Sequence, residues 1–103
     1  MDAEIKVQAR EQAEICAIFG NTRRILILWV LGKDEMSVSD IAANIDASLP
    51  NTSQHLRLMK DKGILISRRD GQTIYYSIAR NSLTMVCKLM FQAPPIEVAK
   101  TPQ

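Results

Sequence analysis

The chain holds one histidine, two cysteines, four glycines and four prolines, and its aromatics are two Phe, two Tyr and one Trp. Each scarcity closes off a class of protein. Two cysteines far apart in sequence, Cys16 and Cys87, make no disulfide framework and have no metal-ligand spacing of their own. With no Ser-His-Asp or Cys-His grouping, no glycine-rich phosphate loop and no evident pair of carboxylates, an enzyme is disfavoured and no cofactor is expected. The longest unbroken apolar run, Ile25 to Leu31, is too short to cross a bilayer. Asp2, Glu4 and Lys6 break up the N-terminus where a secretory signal needs a basic patch and then an apolar core. A cytoplasmic protein with no membrane partner is the expectation by elimination.

The 103 residues are 47% hydrophobic and 23% charged, which fits one ordinary globular domain. A chain of this size buries a modest core, so a permanent partner covering more apolar surface would suit it. Its net charge of +2 conceals an uneven distribution. Between Asn51 and Gln72 five basic residues (Arg57, Lys60, Lys62, Arg68, Arg69) face two acidic ones (Asp61, Asp70), while the remainder holds eight basic and nine acidic. One basic segment on a neutral or slightly acidic body is the footprint of a polyanion-binding face.

Hydrophobic period then orders the chain. Over residues 3–19, Ile5, Ala9, Ala13 and Cys16 share one face, with Ile15, Ile18 and Phe19 widening it, and Gly20 stops the helix. A second helix, capped by Asn21 or Thr22 and closed by Gly32, is apolar nearly all round and belongs in the middle of the domain. Ser37-Val38-Ser39-Asp40 resembles a capping box ahead of a short third helix with Val38, Ile41, Ala42 and Ile45 at core spacing. Asp46-Ala47-Ser48 is a turn; Ser48 caps a fourth helix, with Pro50 in its first turn, that runs from about Leu49 to Lys62 and ends at Gly63. Its inner positions are Thr52, Leu56 and Met59, with Leu58 beside them. The period next changes to two: Ile64 to Arg69 and Thr73 to Ile78 form a two-stranded hairpin about Asp70-Gly71. A last helix starts near Asn81 or Ser82, with Leu83, Val86, Cys87 and Met90 on one face. Residues 1–92 are thus expected to form a single, mainly α domain, and 93–103 a disordered tail.

The order helix, helix, helix, helix, hairpin, helix is a helix-turn-helix followed by a wing. In the fourth helix, Asn51, Thr52, Ser53, Gln54, His55, Arg57 and Lys60 supply donors and acceptors where a recognition helix meets DNA. Asn and Gln pair bidentately with adenine, and Arg with guanine. The hydroxyls of Ser48 and Ser53 and the helix N-terminus suit phosphates. Arg68, Arg69 and Gln72 on the hairpin suit the backbone or the neighbouring minor groove. A winged-helix docking module that binds protein instead is the rival reading, but it has no need of this polar helix and basic hairpin.

Asn21-Thr22-Arg23-Arg24-Ile25, Ser37-Val38-Ser39-Asp40-Ile41-Ala42, Ser53-Gln54-His55-Leu56-Arg57-Leu58-Met59, Gly63-Ile64-Leu65 and Gly71-Gln72-Thr73-Ile74-Tyr75-Tyr76-Ser77-Ile78 together resemble the ArsR/SmtB family of bacterial transcriptional repressors over roughly residues 10–92. The resemblance implies a winged helix-turn-helix homodimer, its first and last helices packed across the two-fold axis, on a double-stranded operator. The apolar stripes on those two helices agree. It also places His55 in the recognition helix, in a DNA or helix-packing role, and no second His or Cys at helical spacing supports metal ligation there.

The family's inducer sites can be matched position by position. Where one metal site has cysteines at the start of the third helix, this chain has Ser37 and Ser39, and serine is a poor ligand for soft metals. The last helix, Asn81 to Met90, lacks the His and carboxylates of another. The positions of a cysteine pair in further members fall on Trp29 and Phe91, read as core residues. Cys16 and Cys87 lie in apolar stripes, where free cysteine acts as a small hydrophobe. A redox or soft-metal sensing pair is their alternative role. The residues name no inducer.

Overall fold

Capping and turn signals set the element boundaries. The computed structural model describes residues 1–82, 96, 98 and 99. Helix α1 spans Ala3–Ile18, and the Asp2 carboxylate at its start accepts the Glu4 N–H at 2.8 Å. Helix α2, Thr22–Leu31, starts where the Asn21 side chain accepts the Arg24 N–H and stops at Gly32, whose φ of 56° suits glycine. A two-residue strand β1, Met36–Ser37, leads into α3, Val38–Asn44, with the Ser37 hydroxyl accepting the Asp40 N–H. Helix α4, Leu49–Asp61, is capped by Ser48, which accepts the Asn51 N–H. Strands β2, Leu65–Asp70, and β3, Thr73–Ile78, form the hairpin, and a 3-10 turn covers Arg80–Ser82.

The turn between α3 and α4 sets the angle of the fourth helix. Asp46 takes a left-handed φ of 54°, the Ala47 N–H reaches the Ala42 carbonyl at 3.0 Å and the Asp46 N–H reaches that of Ala43 at 3.4 Å. This is a Schellman closure with aspartate where glycine is usual, which a short polar side chain tolerates. Gly63 closes α4 in the same way, with the Ile64 N–H on the Met59 carbonyl at 2.9 Å.

Around these turns the core is continuous. Ile27, Leu28 and Leu31 of α2, Ile41 of α3, Leu56 and Met59 of α4, Met36, and Leu65, Tyr76 and Ile78 of the sheet are all buried together. Each large side chain so buried contributes about 1.5–3 kcal/mol. Helix α2 takes the central place expected of it, with Ile25, Leu26 and Trp29 half-buried on its outer side.

Three features differ from the sequence expectation. The sheet has three strands in the order β1-β3-β2, both pairings antiparallel, so the hairpin gains a partner in Met36 and Ser37 opposite Tyr76 and Tyr75. Asp70 pairs with Thr73, so the two-residue loop is Gly71-Gln72, and Gly71 carries the positive φ of 63° that its first position demands. Two residues of the expected disordered tail rest on α3: Asn44 donates to the Ala99 carbonyl at 2.6 Å, accepts its N–H at 2.9 Å, and Val98 packs on the core.

On α1, Ile18 is buried, Ile15 and Phe19 touch the core, and Lys62 pairs with Glu14 at 3.2 Å. Its expected apolar face, Ile5, Ala9, Ala13 and Cys16, is exposed. Leu83, Val86, Cys87, Met90 and Phe91 lie outside the described residues.

Candidate nucleic-acid interface

A helix of period 3.6 cannot present every residue to one side, and α4 sorts its polar residues onto three faces. Leu56 and Met59 face inward, and Thr52 joins them with no exposed surface. Thr52 is therefore a core residue, which corrects its placement among the DNA contacts. Its hydroxyl is buried without a hydrogen-bond partner among the described residues. A buried unsatisfied hydroxyl costs stability, while the isosteric apolar side chain does not. Thr52→Val is expected to leave melting temperature unchanged or slightly raised and DNA affinity unchanged. A loss of affinity with stability intact would put the hydroxyl on DNA after all.

Asn51 and His55 lie on the flank toward α2. The Asn51 carbonyl oxygen accepts from Arg23 Nη1 at 2.7 Å, and His55 Nδ1 accepts from Arg24 Nε at 3.2 Å. Both side chains thus tie α4 to the start of α2. Burial, then the Arg24 and Arg23 charges, holds the His55 pKa below its ordinary value. The folded state consequently binds this proton less readily than the unfolded chain. Stability from this site is complete above the ordinary histidine pKa of about 6.5 and is drawn down as pH falls below it. Thermal melts at pH 7.5 and 5.5 are expected to show a larger acid-side drop in wild type than in His55→Gln, whose amide keeps an acceptor for Arg24. Equal drops would remove His55 as the cause.

The third face looks outward. Ser53, Gln54 and Arg57 share a shallow surface with Leu49 and Pro50, and Lys60 is exposed one turn further on. Ser48 is exposed at the cap, although its hydroxyl already accepts the Asn51 N–H. Between this face and the hairpin runs a groove of about 480 Å³, bordered by Ser37 and Ser39 at the start of α3, Leu49 and Ser53 of α4, and Gln72 and Thr73 of the hairpin. The structure therefore brings Ser53, Gln54 and Arg57 together, and places Gln72 across the groove from Ser53.

The basic segment divides as well. Lys62 is paired with Glu14, and Arg68 is bonded through Nε and Nη2 to Glu35, the shortest contact being 2.6 Å. That hydrogen bond, with the Arg68 charge, holds the Glu35 carboxyl below the usual carboxylate range. Arg57, Lys60 and Arg69 are the members of the segment left on the surface without an ion pair among the described residues.

Sequence reasoning missed Arg23 and Arg24, whose partners on α4 are about thirty positions away. A signal was present: two arginines in a helix's first turn oppose its dipole, an unfavourable placement that a tertiary contact offsets. It missed Leu49 and Ser39 because their exposure depends on how two helices cross.

Cys16 is exposed on the apolar face of α1, its sulfur 3.7 Å from the Gln12 amide. Among the described residues no three His, Cys, Asp or Glu gather to hold a metal, and no helix is long and apolar enough to cross a membrane.

Residues 21–67, from the cap of α2 into β2, match the model of the family described as bacterial regulatory protein, arsR family. The chain is 37% identical over 83 residues to the nodulation protein NolR of Rhizobium meliloti, covering 77% of this chain and 68% of that one. It superposes on the crystal structure of NolR from Sinorhizobium fredii with a TM-score of 0.78 at 33% identity, covering 85% of this chain and 88% of the other. It matches equally, at 0.78, the solution structure of the homodimeric winged helix-turn-helix DNA-binding domain of Mb0332 from Mycobacterium bovis, at 25% identity over 88% of this chain and 85% of that one. The elements, their order and these likenesses agree: the chain belongs to the ArsR family, as a transcriptional regulator built on a DNA-binding winged helix-turn-helix and not an enzyme.

Proposed function

We infer that the protein is a repressor that binds an inverted-repeat operator as a homodimer, laying the outer face of α4 in the major groove of each half-site. The observation that carries this reading is the sorting of α4: Leu56 and Met59 are in the core while Ser53, Gln54 and Arg57 face solvent beside the hairpin. Gln54 and Arg57 are the base-reading residues, suited to adenine and guanine edges. Ser48, Ser53 and Lys60 serve phosphates, and Arg69 and Gln72 extend the contact from the wing. Homodimer formation is supported by the exposed apolar face of α1, where Ile5, 52% exposed, is followed by Ala9, Ala13 and Cys16 on the same side, and by the homodimeric Mb0332 domain of the same fold. A dimer seated on a promoter excludes polymerase from it, so repression follows from occupancy.

The test is selection of tight-binding duplexes from a random pool, then anisotropy titration and run-off transcription on the winner. The expected product is an inverted repeat with half-sites about one helical turn apart. It should bind two protomers and silence a promoter that overlaps it. Enrichment of no sequence over random DNA would overturn the reading in favour of a docking module, and activation of the overlapping promoter would overturn repression.

A further inference from the structure

The Arg68 side chain crosses the whole sheet. Arg68 on β2 stands opposite Tyr75 on β3, and Tyr75 in turn stands opposite Ser37 on β1. The guanidinium lies over the Tyr75 ring, 4.7 Å from its centroid, and ends on both oxygens of Glu35, two positions before Ser37. Asp70 adds a contact at 4.0 Å from the hairpin's own end. Ser37 is also the cap of α3. The wing is therefore fastened, across β3, to the root of the helix-turn-helix.

This fastening has work to do. Strand β1 is only two residues long, so the ladder holding the hairpin against it is short. A lone exposed ion pair would add little, but a bidentate guanidinium–carboxylate contact fixes orientation, and stacking on the ring fixes the stem. Lysine cannot make the bidentate contact, and its ammonium has no planar surface to stack on the ring.

We propose that Glu35 and Arg68 form a brace setting the angle of the wing to α4, so that Arg68 is a positioning residue and Arg69 takes the phosphate. This rests on the DNA-binding role inferred above. It makes an acidic residue a promoter of DNA binding, against the general rule that removing negative charge near DNA strengthens it. Glu35→Gln keeps the shape of the side chain and loses the charge-assisted pair. It is expected to weaken operator binding about 3- to 10-fold, and Arg68→Lys should do the same although it keeps the positive charge. The exchanged pair Glu35→Arg/Arg68→Glu should recover most of the affinity that Arg68→Glu alone loses.

Tighter or unchanged binding by Glu35→Gln would overturn the brace, as would wild-type affinity in Arg68→Lys, because Arg68 would then be a simple phosphate contact. Backbone order parameters of Gly71 and Gln72 provide a readout that needs no DNA: they should fall in Glu35→Gln and not in Arg69→Gln. A wing as ordered in Glu35→Gln as in wild type overturns the brace. If wild type selects no operator but the order of Gly71 and Gln72 still falls in Glu35→Gln, the DNA-binding role is overturned and the brace stands.

Discussion

Arg57→Ala is expected to remove between about 30-fold and 10⁴-fold of the preference for operator over random duplex. A bidentate arginine–guanine pair is worth about 1–3 kcal/mol of discrimination, and a two-fold operator loses two of them. The side chain is exposed on the outer face of α4 with Gln54 and Ser53, and no protein group holds it in an ion pair among the described residues. Truncation therefore leaves the fold intact, and the whole effect should appear in binding. Anisotropy titrations on the selected operator and on a scrambled duplex at one salt concentration measure it. Arg69→Ala is the contrast: it should weaken both duplexes alike and make affinity less dependent on salt. Equal loss on both duplexes for Arg57→Ala would move Arg57 from base contact to phosphate contact.

Leu56→Ala lies one residue away and is expected to act on the fold alone. Leu56 has no exposed surface and sits in the core with Met59, Ile41 and Leu28. Cutting it to alanine removes buried methylenes and leaves a cavity, at a cost of about 2–5 kcal/mol. For a domain of about 100 residues each kcal/mol moves the melting temperature by roughly 4–8 °C, so a fall of roughly 10 °C or more is expected by calorimetry at matched protein concentration. Gln54→Ala, also on α4, should stay within about 0.5 kcal/mol of wild type. A Leu56→Ala melt within a degree or two of wild type would contradict the inward orientation of this face.

These two neighbours explain why so much of the fold was legible. Where a helix cap or the helical period decides the outcome within a few residues, the reading holds for α2, α3 and α4. Asn21, Ser37 and Ser48 cap the helices expected of them, because a cap needs only a side-chain oxygen and an N–H three positions on. Thr52, Leu56 and Met59 are inward because the helical period places them there. Strand β1 was not legible, since two residues have no period, and Met36 and Ser37 become a strand only because β3 offers them an edge.

The candidate site was legible as a list of residue types and less so as a surface. Asn51 and His55 have the chemistry of base contacts, yet Arg23 and Arg24 claim them from another helix. Arg68 has the chemistry of a phosphate contact, yet Glu35 claims it from the far side of the sheet. A polar side chain bonds to whichever partner the fold brings near, and sequence spacing does not measure that distance.

The sequence by itself determined the order of the first four helices and the hairpin, the caps at Asn21, Ser37 and Ser48, the inward face of α4 and the concentration of basic charge between Asn51 and Gln72. Those are consequences of period, capping chemistry and composition, all local properties of the chain. Tertiary structure alone decided which of the polar residues stay on the surface. Among the described residues Gln54, Arg57, Lys60 and Arg69 stay exposed without an ion pair and Ser53 stays partly exposed, whereas Asn51, His55, Lys62 and Arg68 meet partners brought from distant parts of the chain.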